Sequence, residues 1–163
     1  MQNILKYEIG DRFLTSSLSA NLLKRFGKNV PIIVCLGSDK VLSDMIGVLV
    51  ADKLKKLDVK AFVYGGSDFV ITNKNIDYLL NKINSKNILF VDSSITQQKN
   101  NIIFNNTGIK LKNNKFYHGA SICAGTIFVK NNQLQLACIG LKQICTFVNN
   151  IVLSITDYLS FVK

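Results

Sequence analysis

Three short runs rich in apolar and β-branched residues, VPIIVCLG, KAFVYGG and NILFVDSS, alternate with two amphipathic segments in the first ninety-odd residues. Runs of this kind are typical of parallel strands that are buried on both faces of a sheet. The amphipathic segments, at about 44–57 and 74–84, have the apolar spacing of helices. Because connections of this length join parallel strands through right-handed crossovers, the pattern predicts an α/β fold with a mostly parallel central sheet.

The remaining segments extend this α/β pattern at both ends. Short extended runs follow Asp92, and we expect them to add strands, one of them antiparallel, before a long helix at about Leu141 to Phe161. The segment LTSSLSANLLKRFGKN has apolar residues at helical spacing and several Ser or Thr residues that could begin a helix. At 163 residues the chain suits a single domain over 1–163, with residues 1–29 predicted as a helical extension whose role stays open.

The charge distribution argues against a nucleic-acid partner. The formal net charge is +10, but only Arg12 and Arg25 among the twenty basic residues are arginines, and the lysines are scattered along the whole chain. Nucleic-acid surfaces usually cluster their basic residues and use arginine for bidentate contacts. The sequence therefore predicts a solvated basic surface without a nucleic-acid partner.

The four cysteines indicate neither a zinc site nor a redox motif, because no two have the close spacing that such sites use. We expect them to be buried, reduced thiols, and they are Cys35, Cys123, Cys138 and Cys145. The N-terminus MQNILKYEIGDR lacks the apolar core of a secretory signal. The late stretch TFVNNIVLSITDYLSFVK is interrupted by polar residues and is expected to fall short of a membrane span, which favours a cytoplasmic location.

Residues that follow the predicted strands are the candidates for a binding or catalytic site, since ligands of open α/β sheets bind at the carboxyl ends of the strands. These candidates are Gly37, Ser38, Asp39, Asp44, Gly65, Gly66, Asp92, Ser93 and Ser94. Asp44 is also a good residue for the first turn of a helix. A second carboxylate at Asp92 could face it, and such a pair can share a proton, activate water or hold a metal ion.

Other ligand motifs are absent from the loop after Gly37. The loop has neither the GxxxxGK[ST] of a phosphate-binding loop nor the GxGxxG of a dinucleotide site, so no cofactor is predicted. His118 is the only histidine. A lone histidine is more often a surface or hydrogen-bonded residue than a ligand.

The stretch CLGSDKVLSDMIGVLVADKL, residues 35–54, resembles the opening motif of the YyaC family of sporulation proteins. The strands FVYGG and ILFVDSS and the later segment HGASICAGTIF fit the same family, and the likeness covers about residues 30–160. This family is similar in turn to the spore germination protease and to the hydrogenase maturation endopeptidases. The resemblance implies a three-layer α/β/α sandwich of the phosphorylase/hydrolase-like, germination-protease-like type.

The resemblance also implies a peptidase site. Asp44 and Asp92 occupy the places of the acidic residues implicated in peptide cleavage, and Gly37, Ser38, Asp39 and Ser93 would surround them as binding residues. In the maturation endopeptidases two acids and a histidine bind nickel, and Asp44, Asp92 and His118 come in the same order. The implied substrate is a peptide or a small acid-soluble spore protein in the spore or forespore cytoplasm, and a homo-oligomer stays open.

Departures from the family pattern keep a second interpretation open. Leu42 and Ser43 replace the Thr-Gly or Thr-Pro that usually precedes the first aspartate, and a Lys/Asn-rich loop at about 110–115 replaces a glycine-rich turn. The alternative is a catalytically degenerate binding or structural spore protein on the same fold.

Overall fold

The computed structural model describes residues 4–96, 100–136 and 140–162, and within them it contains nine strands and four helices. The helices are α1 Leu14–Phe26, α2 Ile46–Lys56, α3 Ile76–Ile83 and α4 Leu141–Phe161. The strands are β1 Ile4–Glu8, β2 Ile32–Cys35, β3 Val63–Tyr64, β4 Ile88–Thr96, β5 Asn101–Asn105, β6 Gly108–Lys110, β7 Phe116–His118, β8 Ala120–Lys130 and β9 Gln133–Leu136.

The central sheet has the six-strand order β1-β5-β8-β4-β2-β3, with β9 paired to β8. Strands β3, β2, β4 and β8 pair in parallel, whereas β5 is antiparallel to both of its neighbours. The predicted α/β fold with a mostly parallel sheet is therefore confirmed, but two strands, β5 and β9, are antiparallel to β8 where one was expected. Strands β6 and β7 form a separate two-stranded hairpin.

The two faces of the central sheet carry different covers. Helices α1, α2 and α4 pack on one face, where the alternate strand residues Ile33, Leu89 and Ile122 are fully buried. On the other face, Val34 and Phe90 pack against α3 and the β6–β7 hairpin. This division follows from the twofold alternation of side chains along each strand. One helix covers the second face, and the β6–β7 hairpin on this face forms a wall of the cavity described below.

The N-terminal segment contains the predicted helix, α1, and also a strand, β1, and both are part of the sheet and core of the protein. Strand β1 pairs with β5 from Ile4 opposite Asn105 to Glu8 opposite Asn101. Helix α1 places Leu18 and Leu22 in the core with no exposed surface. The five-residue strand ILKYE has too short a pattern to be recognised before its partner strand is known.

Helix α4 has the predicted bounds, Leu141–Phe161, and its apolar face packs inside the protein. By length and composition it is the one helix in the described ranges that could cross a membrane, with a mean hydropathy of 1.3, so the expectation that it falls short was wrong on those criteria. Its residues Ile144, Phe147, Ile151 and Ile155 are fully buried against α1, α2 and the sheet. This is the packing of a core helix.

The cysteines follow the sequence prediction in part. Cys35 and Cys123 are buried free thiols. Cys145 is exposed, because it lies on the outward side of α4 next to the buried Ile144. Cys138 lies outside the described residues.

Candidate functional site

A cavity of about 630 Å³ lies at the carboxyl ends of β2 and β4. Its floor and walls come from the end of β2, the loop that precedes α2, the strands β4 and β8, and the β6–β7 hairpin. Asp44 and Asp92, the predicted catalytic residues, both line the cavity. Other lining residues include Leu36, Ile109, Lys112 and Thr126. A volume of this size is within the usual range of ligand pockets.

The loop that carries Asp44 is held by hydrogen bonds to neighbouring elements. The Ser38 N–H donates to the Asp44 carbonyl oxygen at 2.8 Å, and the Gly37 N–H donates to the Ile71 carbonyl oxygen at 3.0 Å. The Thr126 hydroxyl of β8 donates to the Ser43 carbonyl oxygen at 2.7 Å and is buried. These contacts fix the backbone on both sides of Asp44.

Asp44 does not cap helix α2. It ends a 3₁₀ turn, Leu42–Asp44, and the helix begins two residues later at Ile46 without a side-chain hydrogen bond at its cap. The Asp44 side chain is half-buried and lines the cavity. The interpretation of Asp44 as only a helix-start residue therefore does not describe its position.

Two glycines allow the close approach that places Asp44 at the end of β2. A Cβ atom at Gly37 would lie 2.3 Å from the Asp44 carbonyl oxygen. At Gly47, in the first turn of α2, a Cβ atom would lie 1.8 Å from the Leu36 carbonyl oxygen. Because real Cβ atoms do not come so close to backbone oxygens, the turn into α2 requires glycine at both positions.

Asp92 lies inside β4 and not after its end, since the strand continues to Thr96. It is in register with Cys123 of β8. By the alternation along the strand its side chain lies on the same face as Phe90, which is the face that the hairpin covers. The Ser93 N–H donates to Asp92 Oδ1 at 2.7 Å and holds the carboxyl group in place.

The two carboxyl groups have different environments. Burial raises the pKa of Asp92 to about 7, opposed by the Ser93 N–H hydrogen bond, and the charge of Asp44 raises it further. Burial also raises the pKa of Asp44, and the positive charge of Lys112 opposes the shift at both acids. Near neutral pH the site can therefore hold one proton on Asp92 beside an ionised Asp44.

The predicted binding residues are only partly brought together. Gly37 and Ser93 line the cavity, whereas Ser38 and the exposed Asp39 do not. Ser38 instead supports the loop, because its hydroxyl accepts a hydrogen bond from the Lys40 N–H at 3.2 Å. The hydroxyl oxygens of Ser93 and Ser94 are buried without a hydrogen-bond partner.

Gly65 and Gly66 have a structural role away from the cavity. They have φ angles of 109° and 103°, which favour glycine. The Lys55 ammonium donates to the Gly65 carbonyl oxygen at 2.6 Å and forms an ion pair with Asp68 at 2.8 Å. These contacts close the end of β3.

His118 is placed at the opposite end of the sheet from Asp92. It precedes β8, whose Ala120 is in register with Leu89 near the start of β4, and its exposed ring contacts the edge of Phe116 at 5.1 Å. Within residues 4–96, 100–136 and 140–162, no three His, Cys, Asp or Glu side chains are grouped so that they could hold a metal ion. The structure therefore does not bring His118 together with Asp44 and Asp92.

Sequence reasoning missed the contribution of the hairpin to the cavity. Lys110, Leu111, Lys112 and Asn114 line it, although the loop at 110–115 was recognised only as a departure from the family pattern. A weak signal was present in GIKLK, where apolar residues alternate with lysines as in a strand that covers an apolar surface.

The fold and the cavity define an α/β protein with an acidic pair at the carboxyl ends of its parallel strands. Residues 5–152 match the model of a family described as a protein of unknown function (DUF1256), and the chain belongs to this family. The match begins within β1, which agrees with the structural role of the N-terminal segment. No curated protein matches the sequence significantly.

Proposed function

We propose that this protein is a sporulation-associated, aspartate-dependent peptidase in which Asp44 and Asp92 form the catalytic pair. The observation that carries the proposal is the presence of both side chains in one cavity, with burial raising the pKa of Asp92 to about 7 while the charge of Asp44 acts on it. Two carboxyl groups whose environments separate their pKa values are suited to act as acid and base.

In the proposed reaction Asp44 is the base and Asp92 the acid. The Asp44 carboxylate accepts a proton from a water molecule, whose oxygen attacks the carbonyl carbon of the peptide bond. The electron pair of the carbonyl bond moves to its oxygen and forms a tetrahedral intermediate. Asp92 then donates its proton to the leaving nitrogen as the carbon–nitrogen bond breaks, and the water oxygen remains on the new carboxyl group.

The proposed biological setting rests on the sequence resemblance. Residues 35–54 follow the opening motif of the YyaC-type sporulation proteins, and the arrangement of Asp44 and Asp92 follows the germination protease. In this proposal α1, α2 and α4 form one outer layer of a three-layer sandwich, and α3 with the hairpin forms the other. The substrate would be a peptide or a small acid-soluble spore protein in the cytoplasm of the spore or forespore.

Cleavage of a defined substrate tests the proposal. The purified protein is incubated with a small acid-soluble spore protein and, separately, with unfolded casein, and new termini are identified by mass spectrometry. Asp44→Asn and Asp92→Asn should each abolish cleavage, because Asn can neither accept nor donate the required proton. Asp58→Asn removes an exposed carboxylate at the far end of α2 and should cleave normally.

Two results would contradict the peptidase function. Cleavage that persists in both cavity variants would assign the activity to another site or to a contaminant. Binding of the spore protein without any cleavage would instead support the degenerate binding or structural protein on the same fold.

A further inference from the structure

The turn between β6 and β7 places a cation in the acidic cavity. The charged residues of the described lining are Asp44, Asp92, Lys110 and Lys112. Of the two lysines, it is Lys112 whose charge acts on both carboxyl groups. Lys112 therefore shares the cavity with both carboxyl groups, and its charge opposes the rise in their pKa values.

The hairpin that carries Lys112 is fixed to the body of the protein. Asp77 of α3 accepts a hydrogen bond from the Tyr117 hydroxyl at 2.9 Å and forms an ion pair with Lys115. The Ser121 hydroxyl of β8 donates to the Gly108 carbonyl oxygen at 2.8 Å and is buried. These contacts at both strands of the hairpin set the position of its turn over the cavity.

The turn itself is closed by backbone hydrogen bonds on either side of Lys112. The Leu111 N–H donates to the Lys115 carbonyl oxygen at 3.1 Å, and the Asn114 N–H donates to the Leu111 carbonyl oxygen at 2.9 Å. Lys115 pairs with Asp77, whereas Lys112 forms no ion pair within the part of the chain that the structure describes. Its ammonium group is thus available to a ligand.

We infer that Lys112 binds the carbonyl oxygen of the substrate peptide and stabilises the negative charge that forms on this oxygen when water attacks. This inference rests on the proposed peptidase function. An oxyanion that forms beside the Asp44 carboxylate is repelled by it, and a positioned cation offsets this repulsion in the transition state. With Asp44 as base and Asp92 as acid, Lys112 supplies the group that binds the oxyanion.

Three variants separate this role from a structural one. Lys112→Met removes the charge and keeps most of the alkyl chain, Lys112→Arg keeps a charge, and Lys86→Met removes an exposed lysine that precedes β4 at the opposite end of the sheet. We expect Lys112→Met to lower kcat about 10- to 100-fold and to raise KM by a smaller factor, since the lysine contacts the neutral carbonyl oxygen of the bound substrate and, more strongly, the oxyanion of the transition state. Lys112→Arg should recover most of kcat, and Lys86→Met should match the wild type.

A titration of the Asp92 carboxyl carbon by NMR gives a readout that needs no activity. In Lys112→Met the midpoint should move upward relative to the wild type, because the cation that favours the ionised carboxylate is gone. Lys86→Met should leave the midpoint in place. A turn residue with only a structural role would not shift this titration in a variant that keeps its fold by circular dichroism.

The outcomes distinguish the inference from the function on which it rests. If the wild type cleaves casein or the spore protein and Lys112→Met has the same kcat, Lys112 is not the oxyanion-binding group, while the peptidase function stands. If the wild type cleaves neither protein, the peptidase function fails. Calorimetric binding of the uncleaved spore protein then tests whether Lys112 contacts this ligand. Weaker binding to Lys112→Met than to Lys86→Met supports the carbonyl contact, and equal or absent binding overturns it.

Discussion

Asp92 makes folding stability depend on pH in a direction that is unusual for an aspartate. Burial raises its pKa to about 7 from the ordinary value of 3.8. Between about pH 4 and pH 7 the folded protein therefore holds a proton that the unfolded chain has released. Because the folded state binds more protons in this window, the free energy of unfolding decreases as the pH rises through it and levels off above the folded-state pKa.

The size of this effect follows from the shift. A difference of about three pKa units corresponds to on the order of 4 kcal/mol of stability lost above the folded-state pKa, of which about 2–3 kcal/mol falls between about pH 5 and pH 8. Asp92 is half-buried and lines an open cavity, so solvent screening reduces the expected loss to about 1–3 kcal/mol.

The variant Asp92→Asn isolates this contribution. Asn cannot ionise, and its Oδ1 can still accept the hydrogen bond from the Ser93 N–H. We expect the stability of Asp92→Asn relative to the wild type to increase by about 1–3 kcal/mol from about pH 5 to pH 8. Asp58→Asn serves as the control, because it removes one exposed negative charge far from the cavity.

Urea unfolding followed by circular dichroism at several pH values measures this difference. The slope of unfolding free energy against urea should be the same for all three proteins, so that midpoints report stability. Parallel stability curves for the wild type and Asp92→Asn between about pH 5 and pH 8 would refute the argument, since they would show that Asp92 ionises alike in the folded and unfolded chains.

Four further predictions concern the same features. The value of kcat/KM should fall about tenfold per pH unit above about pH 7 as Asp92 loses its proton, and should rise on the acidic side as Asp44 ionises; a profile flat up to about pH 9 would contradict this assignment. Gly47→Ala should destabilise the protein by about 1–3 kcal/mol in urea unfolding, because its Cβ has no room. Truncation before Leu141 should abolish the cooperative thermal transition, since α4 supplies much of the core. Elemental analysis of the purified protein should find less than about one nickel or zinc per chain; stoichiometric metal that disappears in His118→Ala would contradict the placement of that residue.

The alternation of strands and helices was sufficient to predict the fold class and to bring Asp44 and Asp92 to one edge of the sheet. Parallel strands joined by helices all end at the same edge, so this step depends only on the type and order of the elements. The sequence did not show which of the residues after β2 line the cavity. Whether Asp39 or Asp44 reaches the cavity depends on hydrogen bonds of the loop to Ile71 and Thr126, which belong to distant segments.

Other features depended on partners that the local sequence does not show. The sequence predicted that the third strand ends at Asp92, where the apolar run stops. In the structure β4 continues, because the polar residues Ser93 and Ser94 also pair with β8. The short strand β1 is defined by its pairing with β5. Lys112 lines the same cavity as the acidic pair because Tyr117 and Ser121 hold the hairpin in place over the sheet.

The β6–β7 hairpin leaves the sheet and returns to it at adjacent points. Asn105 at the end of β5 is in register with Ser121 of β8, so the ends of segment 106–120 lie side by side. A segment with neighbouring ends can be lengthened, shortened or exchanged at low cost in loop-closure entropy. The two aspartates lie on the sheet and on the loop before α2, so a change in the length of the hairpin turn would reshape the cavity while both aspartates keep their places.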